Sequence, residues 1–171
     1  MSSSRYVLYP DEDKRFPNLK GTGFKVTSQK ANEYNCIAWA VGDKNRWWWP
    51  DQTAGGFWPS GIEPEDSVSS FIVLFESQGF ICCTSPSLEP GVEKVAIYSD
   101  DMGVTTHAAR QLPNGKWTSK LGPEEDIEHS LEGLEGPEYG TVDQILSRQL
   151  VAFARWVHII TVIAAKVSQF T

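Results

Sequence analysis

Two turn signals in the middle of the chain restrict the fold more than any other feature. Asp100-Asp101-Met102-Gly103 and Pro113-Asn114-Gly115 separate three short stretches, Lys94–Tyr98, Thr105–Gln111 and Lys116–Lys120. Turns built from Asp, Asn and Gly reverse a strand on itself. The three stretches therefore predict an antiparallel meander. Residues opposite one another on paired strands lie about 5 Å apart, which would bring Thr118 or Lys120 beside His107. Within the second stretch a period of two sets Thr105, His107 and Ala109 on one face, and Thr106, Ala108 and Arg110 on the other.

The segments upstream read as helical. Ile37-Ala-Trp-Ala-Val41 ends at Gly42, a residue suited to a helix C-terminus, and predicts a helix over 33–42 with Asn32 or Asn35 as its cap. A second helix is expected near 64–78. Pro64 suits its first position, Glu63, Glu65 and Asp66 supply early acids, and Val68, Phe71, Ile72 and Phe75 recur at helical spacing before Gly79. Between them, residues 43–63 hold too much Trp, Pro and Gly for a long regular element. Phe24–Thr27 and Phe80–Cys83 are short strand candidates. Residues 124–135 read as an acidic loop or weak helix, and Val142–Leu146 as the start of a final helix. Helices followed by a meander make an α+β domain over residues 1–149.

From residue 150 to 171 the composition changes, and this stretch reads as an apolar helical appendage. Arg155, His158 and Lys166 interrupt it, whereas a membrane span needs about twenty apolar residues free of such charges. No firm span is expected, only a tail suited to peripheral membrane contact. Met1-Ser-Ser-Ser-Arg5-Tyr6 lacks the apolar stretch of a secretory signal. A net charge of −7 without any Lys/Arg cluster argues against nucleic acid as a partner. Three cysteines, two of them the adjacent Cys82 and Cys83, cannot build a disulfide framework. Free thiols in a reducing cytoplasm are the expectation. No Cys/His spacing suggests a metal site, and no cofactor is called for.

Cys36 and His107 are the candidates for chemistry. A thiol at a helix start gains from the partial positive charge there, which favours thiolate. An imidazole on a strand is a rigidly mounted general base. Candidates to orient that ring are Asp126, Glu128, His129 or a polar group of the 116–120 strand. Cys36 also reads as a small buried apolar residue, and the acids of 124–128 as a solvated loop. Five tryptophans (Trp39, Trp47, Trp48, Trp49, Trp58) crowd the segment after Cys36. Such clusters pack as a satellite core or line a substrate groove. The second option makes Trp48, Trp49 and Trp58, with Asn35 and Ser119, candidate substrate contacts.

The strings Tyr34-Asn-Cys-Ile-Ala-Trp-Ala40, Trp48-Trp-Pro50, Phe57-Trp-Pro59, Thr106-His-Ala-Ala-Arg110, Trp117-Thr-Ser-Lys-Leu-Gly122 and Ile127-Glu-His129 resemble a family of mainly bacterial domains without an assigned activity. The likeness runs over about 30–148. That family in turn is similar to the papain-like thiol hydrolases, including the NlpC/P60 group. The resemblance implies a nucleophile helix packed on a small antiparallel sheet, with Cys36 as nucleophile and His107 as base. Lys120 or His129 would support them. The expected activity is a cysteine hydrolase or acyltransferase acting on a peptide or protein amide, of peptidase, amidase or deamidase type. Two other readings stand beside it. One is a non-catalytic peptide- or protein-binding module using the Trp loop, and the other a toxin- or immunity-associated domain whose acidic face meets a basic partner.

Overall fold

A computed structural model describes residues 11–150. Its helices are α1 (Glu12–Arg15), α2 (Leu19–Thr22), α3 (Cys36–Val41) and α4 (Val68–Ser77). Its strands are β1 (Phe24–Val26), β2 (Ile81–Cys83), β3 (Val92–Ser99), β4 (Thr105–Gln111), β5 (Trp117–Lys120), β6 (Asp126–His129) and β7 (Thr141–Gln149). The strands form one seven-stranded sheet in the order β1-β6-β5-β4-β3-β7-β2, with every adjacent pair antiparallel. The class is mixed α/β with few helices, and β3 to β5 are the expected meander.

Apolar side chains cover both faces of the sheet. On one face, Ile37 and Ala38 of α3 and Phe71, Leu74 and Phe75 of α4 pack on Val95, Ile97, Ala108 and Leu146. On the other, Phe16, Leu19 and Leu134 pack on Ala96, Tyr98, Ala109, Trp117, Ile127 and Ile145. Each fully buried Phe or Leu contributes on the order of 1.5–3 kcal/mol, so α4 is held chiefly by Phe71, Leu74 and Phe75.

Three expectations need correction. Val142–Leu146 starts no helix: it lies in β7, paired with β3 on one side and β2 on the other. Ile145 and Leu146 are adjacent and both buried, one in each cluster. A strand covered on both faces loses the alternation that marks a half-exposed strand. Residues 126–129 are likewise strand β6, bonded between β1 and β5, with Leu131–Leu134 a short 3-10 turn. The second helix begins at Val68 rather than Pro64, because the Ser67 hydroxyl accepts from the Ser70 N–H and caps it there. Of the tail expected over 150–171, residues 151–171 lie outside the described residues. Among the described residues no helix is long and apolar enough to cross a membrane.

Candidate active site

Asn35 fixes the start of α3. Its side-chain oxygen accepts from the N–H of Ala38 and of Trp48, and its amide donates to the Trp48 carbonyl. One buried side chain thus caps the helix and ties it to the tryptophan loop. Gly42 ends the helix with φ +92°, a left-handed conformation that favours glycine. Asn35, a candidate substrate contact, lines the same cavity as Cys36, while its side-chain oxygen and one amide N–H are used within the protein.

Cys36 is the first residue of α3 and is buried. Burial pushes its thiol up to about 11, against the opposing effect of backbone hydrogen bonds at Ala108, Ile37 and Cys36 and of the Lys120 charge. The expectation that the helix start would favour thiolate therefore fails in the resting state. Excluding water from the sulfur costs the anion more than one short helix returns. At neutral pH the group is a thiol.

His107 reaches the same place from β4. Beyond the rungs Arg110–Thr118 and Gln111–Trp117, β5 leaves β4 unpaired, and a register shift passes over Thr106 between Tyr98–His107 and Ser99–Thr105. A bulge of this kind interrupts the alternation and re-aims the side chains beside it. Thr106 and His107 both line a cavity of ≈ 310 Å³ that Cys36 also lines. Trp47, Trp49 and Tyr139 complete its apolar walls, and Gly122 closes the side where β5 ends. Ala108 packs in the cluster of Cys36, whereas His107 packs on Tyr98 and Tyr139. The thiol and the imidazole thus approach the cavity from opposite faces of β4. No hydrogen bond joins them, because neither ring nitrogen of His107 has a partner. Burial, and secondarily the neighbouring His129, hold His107 well below the usual histidine range. The ring is neutral.

Tyr139 stacks on that ring, centroids 4.0 Å apart and 13° between planes, while Tyr98 meets it edge-on at 5.5 Å and 69°. Paired Gly136–Gly140 backbone hydrogen bonds, both 2.8 Å, hold the segment bearing Tyr139. The Thr106 hydroxyl donates to the Tyr139 carbonyl at 2.6 Å, and Arg15 pairs with Glu138.

The remaining candidates make their hydrogen bonds elsewhere. Lys120 and Asp126 are cross-strand partners, and the Lys120 charge is felt at Cys36. The Lys120 ammonium donates to the Glu124 carbonyl and lies 5.2 Å from the Tyr34 ring, and burial lowers its pKa. Asp126 accepts from the Tyr34 hydroxyl at 2.9 Å. Desolvation and then that bond to Asp126 raise Tyr34 to about 12. The expected placement of Thr118 or Lys120 beside His107 does not occur, because β5 meets β4 only at its first two residues. His129 binds Ser119 Oγ at 2.8 Å and the Ser130 carbonyl at 2.7 Å, which occupies both histidine nitrogens and the Ser119 hydroxyl. Burial lowers His129 to about 4.

The tryptophan loop divides. Trp48 and Trp58 are core residues, 4% and 5% exposed, with Trp58 edge-on to Phe71 at 5.1 Å. Trp49 meets the cavity as expected, joined by Trp47. A larger hollow of ≈ 610 Å³ lies at the opposite end of the β3–β4 hairpin, between Leu88–Glu93 and Arg110–Pro113, with no Cys or His on its wall.

A family model described as a domain of unknown function (DUF7689) matches residues 25–147. No curated protein and no solved structure matches the chain.

Proposed function

The chain belongs to the DUF7689 family, and from its site we propose a cysteine-dependent hydrolase or acyltransferase acting on peptide or protein amides. One observation carries the reading: Cys36 and a fully buried His107 with both ring nitrogens unpartnered line a single cavity. Leaving two polar atoms unpaired is costly, and the ring is available for hydrogen bonding to a substrate. The papain-like resemblance supports the same assignment, a thiol at a capped helix start and a strand-borne imidazole on one cavity.

In this mechanism the resting pair is uncharged. A carbonyl enters the cavity, the Cys36 sulfur attacks it, and His107 accepts the thiol proton as the bond forms. The resulting imidazolium sits in a dry site that disfavours its charge. It is therefore a strong acid and readily passes the proton to the leaving amine. Water then cleaves the thioester, or a second amine takes the acyl group. The thiol is not preformed as thiolate, so its reactivity depends on His107 rather than on the helix.

A short p-nitrophenyl ester, tested in a Cys82→Ser/Cys83→Ser background, reports on this chemistry. Mass spectrometry should find the acyl group on Cys36, with the acylation rate roughly a hundredfold lower in His107→Gln. An unacylated Cys36, or a rate indifferent to His107, would refute the proposal.

A further inference from the structure

Building on the thiol-hydrolase reading, we infer that the Cys36–His107 cavity receives a primary carboxamide, the end group of a glutamine or asparagine side chain, and that the reaction is deamidation. No Lys, Arg, Asp or Glu lines the cavity, so a carboxylate or ammonium entering it would lose its water without gaining a counter-charge. The Asn35 side-chain oxygen is engaged with the N–H groups of Ala38 and Trp48, and its amide nitrogen with the Trp48 carbonyl. The Thr106 hydroxyl is committed to the Tyr139 carbonyl. Among the described residues lining the cavity, the buried polar side-chain atoms without a partner are Nδ1 and Nε2 of His107.

A neutral imidazole presents one N–H donor and one acceptor nitrogen. The two nitrogens point away from each other across the ring, so an entering group bonds to one of them, and an uncharged group that carries both an acceptor and a donor can use either. A carboxamide has both, on a flat frame that suits the indole walls of Trp47 and Trp49. An ester lacks the donor, and a carboxylate lacks the donor and carries charge. The volume of ≈ 310 Å³ suits a side chain rather than a folded segment.

The atoms balance without a cofactor. The Cys36 thiol adds to the carboxamide carbon, the C–N bond breaks, and the thiol proton leaves through His107 with the amide nitrogen as ammonia. Water hydrolyses the thioester, which returns the thiol and frees a carboxylic acid. That product ionises and no longer suits the uncharged cavity, which drives its release.

Two measurements on the full chain test this. The first uses Cys36→Ala and follows the His107 ring resonances by NMR while N-acetylglutamine methylamide or its glutamate counterpart is added. The glutamine probe should shift them, and the glutamate probe should bind at least tenfold more weakly, a difference of about 1.4 kcal/mol. The second measures ammonia released by the unmodified protein from the glutamine probe, expected to vanish in Cys36→Ala. Equal shifts from both probes would overturn the inference, as would no ammonia from a protein whose Cys36 still takes up the activated ester. The latter pattern leaves the thiol reading standing. The NMR arm reads the cavity alone, so it succeeds or fails independently of acylation.

Discussion

Replacing Asn35 by alanine should be among the most damaging single changes in the described part of the chain. Its side chain is 2% exposed and satisfies three backbone groups at once: the Ala38 N–H, the Trp48 N–H and the Trp48 carbonyl. Loss of an N-cap costs about 1 kcal/mol. Each buried backbone group left without a partner adds about 1–3 kcal/mol, less whatever relaxation recovers. Together these predict a loss of about 3–5 kcal/mol. For a chain of this length that lowers Tm by roughly 10 °C. Urea unfolding followed by tryptophan fluorescence should show the midpoint shift at unchanged slope. Asn35→Ser divides the effect, because serine can cap α3 but is too short to brace Trp48. It should recover only the capping share, about 1 kcal/mol. A serine variant as stable as the parent, or an alanine variant within about 1 kcal/mol of it, would show that the tie between helix and loop is not what holds the cavity wall.

Acid should destabilise the protein through its buried histidines. His129 is neutral in the fold down to about 4, whereas an unfolded histidine takes up a proton near 6.5. The unfolded state therefore binds more protons as pH falls below 6.5, and stability drops by about 2 kcal/mol between pH 6.5 and 5. His107, lowered in the same direction, adds to the slope. Urea midpoints against pH should be visibly flatter for His129→Gln, and parallel curves would refute the assignment. Gly140→Ala tests the mounting of Tyr139. Gly140 has φ +71°, and an added Cβ would lie 1.8 Å from the Ser99 carbonyl oxygen, so the 136–140 segment must shift. A loss of at least about 2 kcal/mol is expected, with the His107 ring resonances losing the ring-current displacement that a stacked tyrosine imposes. A stable variant with unchanged resonances would show that Tyr139 is held independently of Gly140.

The meander was legible because its turns announce themselves and its strands alternate. Asp100–Gly103 and Pro113–Gly115 are followed in the structure by β4 and β5 at nearly the expected residues. Phe24–Val26, Ile81–Cys83 and the Asn35-capped α3 were legible for the same local reasons. The strand β7 was not, because its identity comes from eight rungs to β3 rather than from its own pattern. Val142, Ile145 and Leu146 fit helical spacing as well as they fit a strand buried on both faces. The strand β6 was hidden by its charge. Glu124, Glu125 and Asp126 look like a solvated run, yet Asp126 is buried and its carboxylate is bonded to Tyr34, far away in sequence.

The site divides along the same line. Cys36 and His107 could be read from residue type and local element. The group that steadies the imidazole could not, because it acts through the face of its aromatic ring and not through a hydrogen bond to a ring nitrogen. A histidine is commonly oriented by a hydrogen bond to one ring nitrogen, and that expectation pointed to Asp126, Glu128, His129 or a polar group of the 116–120 strand. Asp126 and His129 are bonded to Tyr34 and to Ser119. Tyr139 instead lies nearly parallel to the ring face, which restricts rotation of the plane while leaving both nitrogens unspent. The only sequence mark of this arrangement is Gly136-Pro-Glu-Tyr-Gly140, a segment closed by glycines at both ends. Its meaning appears only when Ser99 is seen to leave no room for a side chain at Gly140.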